Sequence, residues 1–112
     1  MGVAIRFCPS TEKARDQLAD AQSLERESVE IHADCMDELH RSLFLLSEIA
    51  KDTAARMTTD LMSRYEVTRL LRKTTDAGDR VRVHSADMLS AFSALESAQE
   101  CVAELQRASR EK

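Results

Sequence analysis

The densest run of side chains able to bind a metal is Ile31-His32-Ala33-Asp34-Cys35-Met36-Asp37-Glu38-Leu39-His40. On a helix, His32, Met36 and His40 fall at i, i+4 and i+8, with Cys35 and Asp37 flanking them. Imidazole, thiolate and thioether are soft or borderline donors that suit copper, zinc or haem iron. The remaining parts of such a site are missing. No Cys-x-x-Cys pair is present to hold structural zinc. Only Asp37-x-x-His40 approaches the Glu-x-x-His that di-iron bundles repeat on two helices. Met36 also has a sufficient explanation as an apolar helix position. No cofactor and no metal are therefore expected, and His32, Cys35 and His40 are the residues that would hold a metal if one bound.

Catalytic motifs are absent. The chain has no Gly-rich phosphate loop, no Gly-x-Ser-x-Gly elbow and no His-Glu-x-x-His. Those turns need glycine where the backbone bends sharply, and glycine stands only at positions 2 and 78. The acidic residues are those of solvated helix faces. The expectation is that the protein is not an enzyme.

The elements that would position these residues follow from composition. The chain has 112 residues with two Gly, one Pro, no Trp and 15 Ala, enough for one small domain. Scarce Gly and Pro leave few turns, which excludes sandwiches and α/β folds and predicts an all-α protein. No apolar run is long enough to span a bilayer. The N-terminal stretch is too short and interrupted for a secretory signal. Three cysteines at wide spacing (8, 35 and 101) suit a reducing compartment. An intracellular, cytoplasmic protein is expected, with an organelle as the other setting.

Residues 1–9 read as a flexible arm closed by Pro9, followed by a single helical domain over 10–112 with Ser10 or Thr11 as the first N-cap. Apolar residues recur seven apart at Val29, Met36, Leu43, Ala50 and Met57, with Ala33, Leu39, Leu46, Ala54 and Leu61 between them. That is the pattern of a coiled-coil seam. Asp76-Ala77-Gly78-Asp79 reads as a turn. A second seam steps through Val81, Met88, Leu95 and Val102, with His84, Ala91, Ala98 and Leu105. Ser63-x-x-Glu66 fits a capping box, which leaves open a break in the first long helix. The spacing thus predicts helices over about 11–50, 52–76 and 80–109, the first two either separate or continuous. The fold is a long helical hairpin or a three-helix bundle with coiled-coil-like heptad seams.

Charge is uneven. Residues 10–50 carry ten acids and four bases, whereas 51–80 carry five acids and seven bases. The acidic first segment repels nucleic acid, and no aromatic platform accompanies Arg64, Arg69, Arg72 and Lys73 beyond Tyr65. Over residues 61–71, about a tenth of the chain, the sequence is similar to the opening of KxDL-type coiled coils of lysosome-positioning complexes. The Lys-x-Asp-Leu signature is missing from the second helix, and no family is assigned on this stretch.

The leading expectation is a non-catalytic helical scaffold or adaptor subunit within a larger assembly. It would hold a protein partner, or a second copy of itself, through Val29, Met36, Leu39, Leu43, Phe44, Leu45 and Leu46. Two alternatives stand beside it. One is a small metal- or haem-binding bundle using His32, Cys35, Met36 and His40. The other is an acidic helical chaperone of the secretion type.

Overall fold

The computed structural model describes the backbone of residues 2–59 and 61–110 and the side chains of 12–58 and 61–110. Two helices account for nearly all of it, α1 (Gly2–Thr59) and α2 (Arg64–Arg110), and no strand occurs among the described residues. The chain is an all-α helical hairpin.

The turn between the helices has a local cause. Thr58-Thr59-Asp60 is poor helical material, because short polar side chains compete for the backbone. Thr58 Oγ1 donates to the Ala55 carbonyl at 2.9 Å. Ser63 then caps α2: the Glu66 N–H donates to Ser63 Oγ at 3.2 Å, and the Val67 N–H donates to the Ser63 carbonyl at 3.1 Å. This is the Ser63-to-Glu66 half of the capping box that the spacing predicts.

The turn expected at Asp76–Asp79 does not form. α2 runs through Gly78, which has no positive φ. Ala77 is 4% exposed and Leu70 is 4% exposed, so this stretch carries much of the local burial. Glycine weakens a helix by only about 1 kcal/mol relative to alanine, and tertiary packing overrides that. Arm length points the same way. The break over 61–63 gives arms of 58 and 47 residues, whereas a break at 78 would leave most of α1 uncovered. Three helices over 11–50, 52–76 and 80–109 are thus replaced by two. α1 also begins at Gly2, ahead of the cap expected at Ser10 or Thr11, so residues 2–9 are helical where an arm is expected.

The chain divides into two compact units, residues 33–90 and residues 1–32 with 91–112. Within the 33–90 unit, α1 turns Cys35, Leu39, Ser42, Leu46, Ile49 and Thr53 away from solvent, wholly or in part. α2 does the same with Val67, Leu70, Thr74, Ala77, Val81, His84 and Met88. Thr53 Oγ1 and Thr74 Oγ1 meet across the two helices at 3.5 Å. Within the other unit, α1 contributes Leu18, Ala21, Glu25, Ser28 and His32, and α2 contributes Ala91, Leu95, Ala98, Val102 and Leu105. His32 stacks at a tilt on Phe92, with ring centroids 5.9 Å apart.

Val67, Leu70, Thr74 and Ala77 precede the expected seam, but from Val81 to Leu105 the α2 positions are those that the seven-residue spacing predicts. Those of α1 are not. Ser28, Cys35, Ser42 and Ile49 take the inward places expected for Val29, Met36, Leu43 and Ala50, a rotation of one residue or about 100°. Leu39 and Leu46 belong to both stripes, whereas Ala33, Ala54 and Met57 are exposed and Leu61 lies fully exposed in the turn. Small side chains on both inward stripes allow close helix approach, since interaxial distance is set by side-chain size at the contact.

Two substitutions test these boundaries by thermal unfolding. A Cβ built on Gly78 meets nothing within 4 Å, so Gly78→Ala is expected to stabilise by about 1 kcal/mol. A left-handed turn at that position would give destabilisation instead. Ser63→Ala is expected to cost about 1 kcal/mol through loss of the cap.

Candidate interaction surface

With α2 placed against the Leu39–Ser42–Leu46–Thr53 stripe, the larger apolar residues of α1 are left facing water. In the 33–90 unit these include Met36, Leu43, Phe44, Leu45 and Met57; Leu43 keeps 48% of its surface exposed and Phe44 63%. Of the seven residues expected to hold a partner, Met36, Leu43, Phe44 and Leu45 are therefore outward here. Val29 is outward in the other unit. Leu39 and Leu46 are half-buried on the inward stripe, so they support the hairpin itself.

The exposed face has a regular construction. Positions 36, 43, 50 and 57 alternate with 33, 40, 47 and 54, and all eight side chains are exposed. Large residues (Met36, Leu43, Met57) thus sit among small ones (Ala33, Ser47, Ala50, Ala54), with His40 the polar member. Met57 belongs to this face although it was not among the seven; its signal was the same step of seven through Met36 and Leu43. On α2 of the same unit, Leu71, Val83 and Leu89 are also exposed.

Hydroxyls on the inward stripe find their partners nearby. Ser42 Oγ donates to the Leu39 carbonyl at 2.9 Å, and Thr74 Oγ1 donates to the Leu70 carbonyl at 2.9 Å. Back-bonding of this kind lets a hydroxyl be buried at little cost. His84 is less well served. Its Nε2 stands 3.8 Å from Glu38 Oε2, while its Nδ1 is buried without a hydrogen-bond partner among the described residues. Glu38, Arg41, Ser42, Leu45, Arg80 and His84 line a shallow cavity of about 190 Å³. The other unit has a cavity of about 390 Å³ lined by Ala14, Arg15, Gln17, Leu18, Leu105, Ala108 and Ser109.

The ligand run does not converge. Cys35 is half-buried on the inward stripe, whereas Met36 and His40 are exposed on the neighbouring face. His32, in the other unit, is occupied by Phe92. Among the described residues no three His, Cys, Asp or Glu side chains are grouped so that they could hold a metal ion. The helical step explains this: over i, i+4 and i+8 a residue drifts about 80° round the helix. His32 faces inward and His40 does not.

No helix among the described residues is long and apolar enough to cross a membrane. Compared with known proteins, the chain matches no family model, no curated protein and no solved structure.

The division between inward and outward leucines is measurable. In urea unfolding of dilute protein, Leu46→Ala is expected to cost roughly 1–2 kcal/mol and Leu43→Ala a few tenths. Equal losses would place both side chains against α2.

Proposed function

We propose that the chain is a non-catalytic helical scaffold subunit that binds protein through the exposed apolar face of α1. The observation that carries this reading is the outward position of Met36, Leu43, Phe44 and Met57 on one helix. Single exposed apolar residues are ordinary, but a contiguous apolar patch marks an interaction site. Helices with apolar residues on two adjacent stripes satisfy one stripe within the chain and the other against a further helix.

A second feature supports the same reading. No large side chain among the described residues is fully buried. Two helices alone enclose no interior, and an additional helix packed along α1 would convert a wet seam into a dry one. The seven-residue periodicity of both stripes is what helix-on-helix packing of the coiled-coil type requires. The scarcity of glycine, which precludes phosphate loops and nucleophile elbows, favours association over catalysis.

The test uses Leu43→Glu combined with Phe44→Glu, both outward positions that the hairpin tolerates. Tagged wild-type and variant chains would be isolated from native extracts, and the mass and stoichiometry of each complex measured after circular dichroism has shown equal helicity. The wild type is expected in a defined stoichiometric assembly, and the folded variant alone. A wild-type chain recovered only as a monomer, or a variant that retains its companions, would remove this surface from the reading.

A further inference from the structure

We infer that the occupant of the exposed α1 face is a second copy of this chain, packed antiparallel to the first about a two-fold axis near Phe44; the inference rests on the scaffold reading and names its partner. Residues 33–57 of the 33–90 unit supply the argument. When two such helices run in opposite directions with residue i opposite residue 90 − i, every layer joins a larger side chain to a small one or to alanine. Met36 meets Ala54, Met57 meets Ala33, Leu43 meets Ser47, and His40 meets Ala50. Alternating large with small residues across facing positions is how helical interfaces reach interior packing density without voids.

Charge obeys the same symmetry. Asp37 and Lys51 flank the face on the side where Phe44 stands, and Arg41 and Glu48 lie one step further round. On this flank the side chains that come together are offset by one or two positions from that register, about 1.5–3 Å along the axis: Asp37 comes beside Lys51 of the other copy and Arg41 beside Glu48, each pair occurring twice, with Phe44 beside Phe44 near the centre. All five side chains are exposed. Within one chain Lys51 has only a long contact to Glu48 at 3.9 Å, and neither Asp37 nor Arg41 has an ion-pair partner among the described residues. Bringing the copies together would produce an alternating row of acid and base, and a central aromatic pair adds directional contact.

A parallel pairing of the same face has none of these properties. It stacks Ala33, Ala50 and Ala54 on themselves, sets His40 against His40, and separates Asp37 from Lys51 by about 21 Å along the axis. Both packing and charge therefore select one orientation.

The test is sedimentation equilibrium of the full chain over a concentration series, with Asp37→Lys, Lys51→Asp and the double exchange. The wild type is expected to dimerise. Each single variant places like charges opposite each other at two points and is expected to weaken the dimer about tenfold. The double exchange restores complementarity and is expected to return the affinity to within about threefold of wild type. Orientation is read by mixing an Ala33→Cys chain with a Met57→Cys chain after Cys8, Cys35 and Cys101 are changed to Ser. Cross-linking between the two, and not within either alone, is the expected result. Far-ultraviolet circular dichroism establishes that each variant is folded.

A wild-type monomer at every concentration overturns the inference; the scaffold reading then stands or falls on the native complexes alone. A dimer indifferent to the single changes, or one that the double exchange fails to restore, places the contact elsewhere and overturns it as well. So does self-linkage of the Ala33→Cys chain.

Discussion

Two helices can touch along only one stripe each, and this geometric limit governs the rest of the structure. A hairpin has no third wall, so each inward side chain keeps an edge toward solvent, and the interior is a seam instead of a core. The most buried of the described residues are correspondingly small: Ala21, Ala77, Ala91 and Ala98, together with Ser28, Ser42 and Thr53, and only Leu70 and Val102 among them are larger. Hydroxyls within this seam bond to carbonyls of their own helix. The wider apolar residues of α1 are left outside, and the interaction chemistry of the protein starts from them.

Electrostatics contributes little to holding the helices together. Among the described residues, each arginine or lysine ion pair lies within a single helix: Lys51 with Glu48, Arg56 with Asp52 and Arg82 with Asp79. Exposed pairs at such spacing are worth a few tenths of a kcal/mol each. The acidic excess of residues 10–50 and the basic excess of 51–80 therefore bear on which surface meets which, more than on the stability of the fold. Among the described residues, the contact of His84 with Glu38 is the one charged approach from helix to helix, and at 3.8 Å it is loose.

Much of the architecture was legible in the sequence because it depends on local chemistry. Scarce glycine and proline imply long helices, Ser63 and Glu66 announce a cap, and the step of seven through Val81, Met88, Leu95 and Val102 marks the inward stripe of α2. The candidate surface was partly legible for the same reason. Met36, Leu43 and Phe44 stood out as an apolar concentration, although their spacing could not say whether it faced the chain or a partner. Gly78 misled because a single glycine looks the same as a helix stop and as a tolerated interior residue; the difference lies in the packing of Ala77 beside it.

The sequence by itself determined the helical class, a candidate cap at Ser63 and one seven-residue apolar stripe on α1. Only the tertiary structure decided which stripe turns inward and where the chain reverses. Periodicity weighs residues by hydrophobicity, so it prefers Val29, Met36 and Leu43 over Ser28, Cys35 and Ser42 one position earlier. Packing weighs them by the space available, and the stripe turned inward is the one with the smaller side chains Ser28, Cys35 and Ser42. The reversal over 61–63 has local signals in Thr58 and the Ser63 cap, but no window of residues ranks it above the competing turn signal at Gly78.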